Sequence, residues 1–484
     1  MTFAQLKASV RKVASALTRL RYKKGDCVCL FSPNVPEFCI MFLAVSAIGG
    51  IVTTANPLYS AKELAQQLKH SQSVAVVTKE ATADLVKEAC ASQTAVKVSI
   101  PFASEIIVLG EAEGCRPFSS LLEDDGKAFP ENVDIDPRKD ILVLPYSSGT
   151  TGLPKGVMLS HRNVVSNIVQ LGNAVPLYTS DSMVGVLPFF HIYGMVVTQF
   201  GALRDGCSMV TLPKFDPQEF LSVMEKYKVS VAPIVPPIAL YLSKHESVAN
   251  YDLSNLRMII SGAAPLGEGL QHDLADRLKV PNILQGYGLT ETSPVTHCDN
   301  FPPKFGTVGT CLANTEAKVL DTETGELLGP GEEGELCVRG PQVMMGYLNN
   351  PQATQDMIRD GWLHTGDICH YDENGCFTVT DRLKELIKYK GFQVPPAELE
   401  ALLISHPEID DAAVIGVPDD QAGELPRAYV VTAQNSRVTE ADINQFVDSH
   451  VSPHKKLRGG IKFLSQIPKS PSGKILRRLL RQSQ

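Results

Sequence analysis

The segment Tyr146-Ser147-Ser148-Gly149-Thr150-Thr151-Gly152-Leu153-Pro154-Lys155-Gly156 concentrates hydroxyls, glycines and a lysine within eleven residues. Glycines allow turns with positive φ and bring backbone amides close to an anion. Ser147, Ser148, Thr150 and Thr151 add hydroxyl donors, and Lys155 adds a cation. These are the parts of a loop that wraps phosphate. It is not a Walker A loop, in which the lysine follows a glycine and precedes Ser or Thr. Lys155 instead follows Pro154 and precedes Gly156. The apolar run Ile141–Pro145 predicts a strand ahead of the loop, and a helix is expected after it.

Other candidate residues carry less signal taken singly. Asp367 follows Gly366 and reads alone as a turn cap. Lys474, in Pro471-Ser472-Gly473-Lys474, reads alone as one charge of a basic tail with Lys469, Arg477 and Arg478. Lys388 and Lys390 alternate as solvent-facing strand charges do. His191, in Pro188-Phe189-Phe190-His191-Ile192-Tyr193-Gly194, reads alone as a core histidine.

The elements that must position these residues show in the hydrophobic pattern. Short β-branched runs at 74–78, 141–144, 183–187, 209–212, 229–235 and 258–261 predict buried strands. Helical periodicity at 62–70, 163–170 and 216–227 alternates with them, which predicts α/β layers with largely parallel sheets. The run from Cys39 to Val52 is short for a membrane span and contains Gly49-Gly50, so it reads as a core helix entering a strand. After about residue 310, strands at 316–320, 334–339 and 376–379 separated by turn residues predict a small antiparallel unit. From Lys384 a compact α+β pattern begins: strands at 386–389, 412–416 and 427–432, helices at 396–405 and 440–450. The boundary falls at Asp381-Arg382-Leu383-Lys384. The expected class is therefore α/β, with a large N-terminal domain over 1–383 and a small mobile α+β C-terminal domain over 384–484.

With 484 residues, 44% hydrophobic and 20% charged, the chain can bury a large core. Lys and Arg number 45 against 53 Asp and Glu, a net charge of −8 that speaks against general nucleic-acid binding. The 11 cysteines show no zinc spacing and read as reduced thiols. The opening MTFAQLKASVRKVASAL is an amphipathic helix pattern without a secretory h-region. The ending Arg481-Gln482-Ser483-Gln484 lacks a peroxisomal Ser-Lys-Leu. The expected location is cytoplasmic, with no transmembrane segment.

SSGTTGLPKGVMLSHRN resembles the adenylate-forming superfamily of acyl-CoA synthetases, 4-coumarate–CoA ligases and firefly-type luciferases. Six further blocks agree in order: SGAAPL, QGYGLTET, GELCVRG, GWLHTGD, DRLKELIKYKGFQVPPAELE and PKSPSGKILRR. The resemblance spans nearly the whole chain and implies a carboxylic acid–CoA ligase using ATP, Mg²⁺ and coenzyme A. It implies that Ser147, Ser148, Gly149, Thr150, Thr151 and Lys155 hold the β- and γ-phosphates. Thr290 would contact the α-phosphate and Glu291 would hold Mg²⁺. Gln285, Gly286 and Tyr287 would line the adenine pocket with Ala263 nearby, and Asp367 and Arg382 would take the ribose. Lys474 becomes the lysine of adenylation and Lys384 the hinge, while Lys214, Lys388, Lys390 and Gly391 match positions that contact coenzyme A.

His191 would gate the acyl pocket, lined by Tyr193, Ala263, Gly286, Pro294, Val295 and Cys298. An amino-acid-activating relative carries an aspartate in the His191 region, and none stands here. Cys298 stands where many coumarate-type enzymes have methionine, and Ser293 where they often have glycine, so aryl and medium- or long-chain fatty acids both remain open. Family members usually carry some tens of residues before the Thr2-Phe3-Ala4-Gln5-Leu6 helix, so a first segment is expected to be lacking here. The same motifs serve a luciferase-like adenylating oxygenase. A silent, truncated binding protein is the rival from another class, and the set Lys155, Glu291, Asp367, Arg382 and Lys474 speaks against it. The expected state is a monomer or weak dimer acting on a small carboxylic acid.

Overall fold

A computed structural model describes residues 1–91, 105–147, 154–390, 392–419, 421–434, 436–471 and 473–482. The chain divides into two compact units. The first comprises Met1–Pro233, Gly288–Thr296 and Gly340–Arg359, the second Ile234–Tyr287, His297–Arg339 and Asp360–Gln484.

In the first unit an eight-stranded sheet runs in the order Gly346–Tyr347, Lys155–Ser160, Ile141–Ser147, Ile51–Thr54, Cys27–Phe31, Ser73–Lys79, Glu105–Leu109, Arg116–Pro117. From Ile141–Ser147 onward the neighbours pair in parallel; Lys155–Ser160 and Gly346–Tyr347 join antiparallel. Cys27–Phe31 is buried at every position, as a strand covered on both faces must be. The apolar helix Pro36–Ala47 delivers the chain into Ile51–Thr54. Gly49 makes that turn at φ +74°, and a Cβ on Gly50 would meet Val45 Cγ1 at 2.8 Å. Helix Phe3–Arg19 starts with a capping box, Thr2 Oγ1 accepting from Gln5 N and Gln5 Oε1 from Thr2 N.

A second parallel set pairs Ser182–Gly185 with Ser208–Thr211 and, through Met183, with Val231. The strand expected over 183–187 stops at Gly185 because a buried side chain replaces sheet pairing. Asn34 Nδ2 donates to the carbonyls of Gly185 (3.1 Å) and Leu187 (2.8 Å), and its Oδ1 accepts from Phe189 N (2.7 Å).

In the second unit Ile259, Ile260 and Ser261 pair in parallel with Ile283, Leu284 and Gln285, of the strands Met258–Ser261 and Ile283–Gly288. Antiparallel neighbours follow in the order Glu316–Leu320, Gly334–Arg339, Trp362–Tyr371, Phe377–Arg382. The sequence reading missed the long central strand Trp362–Tyr371. Its alternation is broken at Gly366, which takes φ +69°, and its register shifts against both neighbours. Toward the C-terminus a sheet of Phe392–Val394, Ile387–Tyr389, Gly423–Thr432 and Ile409–Asp419 packs on helices Pro396–Ser405 and Glu440–His450. Val394, Leu399, Leu403, Val414, Val430, Ile443 and Val447 form its core.

The basic tail is not a solvated charge run. It adds the strand Ile461–Phe463 in parallel to Gly423–Thr432 and ends in the helix Arg477–Gln482. Ile467 and Leu480 are buried against Ile415 and Tyr429, which draws the charges between them inward. Lys469 Nζ bonds both oxygens of Asp411 at 2.9 and 2.6 Å. Buried Arg477 grips Glu400 with two nitrogens, reaches Glu385 Oε2 at 2.6 Å and donates to the Val414 carbonyl at 2.9 Å. Removing one partner of such a pair costs about 3–5 kcal/mol, because the other charge stays buried.

Among the described residues no helix is long and apolar enough to cross a membrane. None of the 11 cysteines forms a disulfide.

Asp381 sits at the head of the helix Pro396–Ser405. Its Oδ2 accepts from Ala397 N at 2.8 Å and its Oδ1 from Arg382 N at 2.7 Å. Burial pushes its carboxyl up to about 7 despite these bonds. Between about pH 4 and pH 7 the folded chain therefore holds a proton that the unfolded chain has released. The stability this group contributes is greatest at acid pH and is lost as pH rises through 7. Urea unfolding of Asp381→Asn and of the parent chain, followed from pH 5 to 7.5, should show the difference moving in favour of Asp381→Asn as pH rises.

Candidate functional site

In the first unit the site forms around a hairpin base. Residues 148–153 lie outside the described residues, so Ser148, Gly149, Thr150 and Thr151 are not placed; Gly391 is outside them as well. Ser147 ends one strand and Lys155 begins the next, directly opposite each other in register. The expectation of a helix after the loop is corrected here. The chain first makes the strand Lys155–Ser160, because its apolar residues pair back onto Ile141–Ser147. A Cβ on Gly156 would sit 3.2 Å from the Tyr146 ring, a tighter contact than usual. Helix His161–Ala174 begins only after Ser160, whose hydroxyl accepts from Asn163 N.

Thr290 and Glu291 lie in a single 3₁₀ turn, Thr290–Thr292. Glu291 is 7% exposed, and its Oε1 accepts from Ser147 Oγ (2.9 Å) and from the Tyr347 hydroxyl (2.8 Å). Lys155 Nζ lies 4.8 Å above the Tyr347 ring, a cation–π contact. Burial first, and then Glu291, push the Tyr347 hydroxyl well above its ordinary value, so it stays a donor. The structure thus brings together Ser147, Lys155 and Glu291, with Tyr347 among them. Glu291 offers a hard carboxylate donor of the kind Mg²⁺ takes.

The chain then turns sharply. Ser293 takes φ +68°, and a Cβ on Gly288 would lie 1.9 Å from the Pro294 carbonyl oxygen. Asn167, buried on helix His161–Ala174, accepts from Val295 N (3.1 Å) and donates to Val295 O (2.7 Å). Asn163 on the same face donates to the carbonyls of Pro341 and Val343, both at 2.8 Å, on the segment leading to Tyr347.

His191 Nδ1 accepts from Tyr193 N at 3.3 Å. Thr54 Oγ1 and Asn34 hold the backbone just before it, through Phe190 O and Phe189 N. Tyr193–Phe200 winds with i→i+5 hydrogen bonding, a form frequent at functional sites. Its entry is tight, since a Cβ on Gly194 would lie 2.2 Å from the Pro188 carbonyl oxygen. Lys214 is exposed after the strand Ser208–Thr211.

In the second unit Asp367 is 4% exposed and lies opposite Arg382 in register. Arg382 Nε is 3.3 Å from its Oδ1, and the Tyr287 hydroxyl donates to its Oδ2 at 2.6 Å. Burial raises the Asp367 carboxyl, and the charges of Arg382 and Lys474 and the Tyr287 hydrogen bond oppose the rise. Lys474 is therefore close enough to act on Asp367. It sits in a tight loop, with Ser470 N donating to Lys474 O and Lys474 N to Ser470 Oγ. Gly473, at φ +82°, lets that loop approach Val235.

Gln285 does not present its amide to an open pocket. It accepts from Leu266 N (2.9 Å) and donates to Leu266 O (3.0 Å), fixing the loop that carries Ala263 at φ +72°. Gly286 and Tyr287 follow on the same strand. His297 is buried against the rings of Tyr287 and Phe377, and burial lowers it to about 3. Cys298 is buried beside it, its thiol pushed up to about 12 by burial. Lys384 is exposed in a turn, and Lys388 is an exposed charge of the strand Ile387–Tyr389; Lys390, expected to alternate with it on that strand, instead stands just past its end in a turn at φ +48°.

Three residues that hold the site, Asn34, Asn167 and Tyr347, were not singled out from sequence. A signal existed for one. Asn163, Asn167 and Gln170 recur at i, i+4 and i+7 on a helix face that is buried, and buried amides need partners.

The AMP-binding enzyme family model matches residues 1–348, and that of the AMP-binding enzyme C-terminal domain matches 398–474. 4-Coumarate–CoA ligase 2 of Solanum tuberosum is 45% identical over 99% of this chain and 88% of its own. 4-Coumarate–CoA ligase CCL1 of Humulus lupulus is 44% identical over the same shares. Among solved structures, the anthranilate CoA ligase AuaEII in complex with anthranoyl-AMP superposes with TM-score 0.90 at 25% identity, covering 100% of this chain and 92% of that one. ATP-bound MatB from Rhodopseudomonas palustris gives 0.89 at 28% identity, covering 99% and 93%.

Asn167→Ala removes both bonds to Val295 and leaves that residue's buried amide and carbonyl unmet. Denaturant unfolding should show a loss of about 1–3 kcal/mol, more than an exposed asparagine would cost.

Proposed function

The chain belongs to the AMP-binding enzyme family as an ATP-dependent acid–CoA ligase, and from that premise we propose that its acid is an aryl acid of the 4-coumarate kind. The observation that carries this is the 44–45% identity to 4-coumarate–CoA ligases over 99% of the chain. A fatty acid is the second reading. Cys298 and Ser293 keep it open, because they stand where coumarate-type enzymes often have methionine and glycine.

The reaction has two steps. A carboxylate oxygen attacks the α-phosphorus of ATP, the bond to the bridging oxygen breaks, and pyrophosphate leaves with the electron pair. The sulfur of coenzyme A then attacks the acyl carbon, the bond from that carbon to the phosphate oxygen breaks with its electron pair leaving on AMP, and the thiol proton is released. The protein has charge to hold and reactants to orient. In our reading Ser147 and Lys155, with the hydroxyls of the adjoining loop, hold the β- and γ-phosphates. Thr290 meets the α-phosphate. Glu291 is the carboxylate for Mg²⁺; its fit rests on both hydroxyl donors ending on Oε1. When bound, that ion neutralises charge on the phosphates.

Asp367 takes the ribose hydroxyls with Arg382, while Gly286 and Tyr287 face adenine and Gln285 acts through the Ala263 loop. Lys474 brings its ammonium to the carboxylate and phosphate oxygens as charge builds up. His191 and Tyr193, with Pro294, Val295 and Cys298, line the acyl pocket. After adenylation the C-terminal domain, 384–484, turns about Lys384 and presents Lys388, Lys390 and Gly391 to coenzyme A, with Lys214 as a further contact. Thiols without disulfides fit a reducing cytoplasm, and a monomer or weak dimer is the state we expect.

Incubation with ATP, Mg²⁺, coenzyme A and aryl, short, medium and long acids, read by mass spectrometry, tests the substrate. Acyl-CoA and AMP from hydroxycinnamates support the reading; turnover of fatty acids alone replaces it with the second. Lys474→Ala should lower adenylate formation by orders of magnitude while thioester formation from supplied acyl-adenylate survives. Lys390→Glu should do the reverse.

A further inference from the structure

Glu335 and Cys337 project from one face of the strand Gly334–Arg339, and His364 stands opposite Cys337 on the strand Trp362–Tyr371. His364 Nδ1 lies 2.9 Å from Glu335 Oε2 and 3.3 Å from Cys337 Sγ. The three donor atoms all lie within 4.8 Å of one another, so a carboxylate oxygen, an imidazole nitrogen and a sulfur are close neighbours. No role in the ligase reaction has been given to these residues.

We propose that Glu335, Cys337 and His364 form a binding site for a thiophilic divalent cation of the Zn²⁺ class. The donor set is mixed N, O and S, which suits Zn²⁺ and Co²⁺ and not the hard cations Mg²⁺ and Ca²⁺. Around a tetrahedral zinc, neighbouring donors sit about 3.3–3.6 Å apart. The two separations from His364 Nδ1, 2.9 Å to Glu335 Oε2 and 3.3 Å to Cys337 Sγ, need to open only by a few tenths of an ångström to admit an ion. Two ligands two residues apart on one strand, and a third across the pair, keep the donors together without the ion.

The surroundings hold the ligands in place. Glu335 uses its other oxygen, Oε1, to accept from Gly366 N at 3.1 Å, which orients the carboxylate and leaves Oε2 toward His364. Thr365 Oγ1 donates to Leu336 O at 2.7 Å, locking the two strands between the ligands. Cys337 is buried, while the side chains of Glu335 and His364 are 17% and 13% exposed, so an ion enters from their side. Three protein ligands leave one position for water, the arrangement of an exchangeable site and not of a closed structural one. Because the thiol must lose its proton on binding, affinity falls as pH falls.

Titration of the intact protein with Co²⁺, in the absence of nucleotide, tests this. One equivalent should bind with a strong near-ultraviolet sulfur-to-cobalt charge-transfer band, which Zn²⁺ displaces and excess Mg²⁺ does not. Cys337→Ser, nearly the same size, should lose the band. His364→Gln and Glu335→Gln, at partly exposed positions that tolerate an amide, should each weaken binding about tenfold or more. Thermal melts establish that each variant is folded, and the two amide variants carry the test if the serine variant is not. The proposal falls if no charge-transfer band forms, if Mg²⁺ displaces the ion, if the band persists in folded Cys337→Ser, or if both amide variants bind as tightly as the parent.

Discussion

Asp367 carries a carboxylate in a place that water hardly reaches, and much of the second unit exists to make that tolerable. An ion moved out of water costs several kcal/mol even after the protein relaxes, unless partners meet it. Here one oxygen faces the Arg382 guanidinium, the other accepts the Tyr287 hydroxyl, and Lys474 adds its field. None of these partners is near Asp367 in sequence. The register of Trp362–Tyr371 against Phe377–Arg382 supplies the arginine. The strand Ile283–Gly288 supplies the tyrosine, whose ring is backed by a His297 that burial keeps neutral.

Glu291, the buried carboxylate of the first unit, is treated differently. Among the described residues its side-chain bonds come from two hydroxyls, and both end on one oxygen. The lysine nearby is held on the face of Tyr347. Among the described residues no ion pair reaches Glu291, so it is oriented by hydroxyls, whereas Asp367 is both oriented and partly neutralised. Asparagines do the remaining work. Asn34, Asn163 and Asn167 each bind the backbone of a distant segment with both ends of an amide or twice with one, so irregular loops are held as firmly as strands.

Much of this was legible in the sequence, and for identifiable reasons. Strands such as Met258–Ser261 and helices such as Pro396–Ser405 and Glu440–His450 appear where apolar periodicity put them. The motif blocks named the family because each has a fixed chemistry at a fixed place in the chain. What could not be read was long-range. Trp362–Tyr371 escaped because Gly366 and the register shifts disrupt its alternation. Arg477 looked like a tail charge because its partners, Glu385 and Glu400, are 92 and 77 residues away. Lys155 was expected ahead of a helix because nothing local says that the strand Lys155–Ser160 folds back onto Ile141–Ser147.

The loop that carries Lys474 is fastened on both sides, by Lys469 on Asp411 before it and by Arg477 on Glu400 after it. Asp411 belongs to the strand Ile409–Asp419 and Glu400 to the helix Pro396–Ser405, so both ends of the loop are tied to the same α+β layer. Moving this lysine far from the C-terminal sheet would strain both ion pairs. The lysine is the tip of a lever whose stiffness comes from two ion pairs on either side of it.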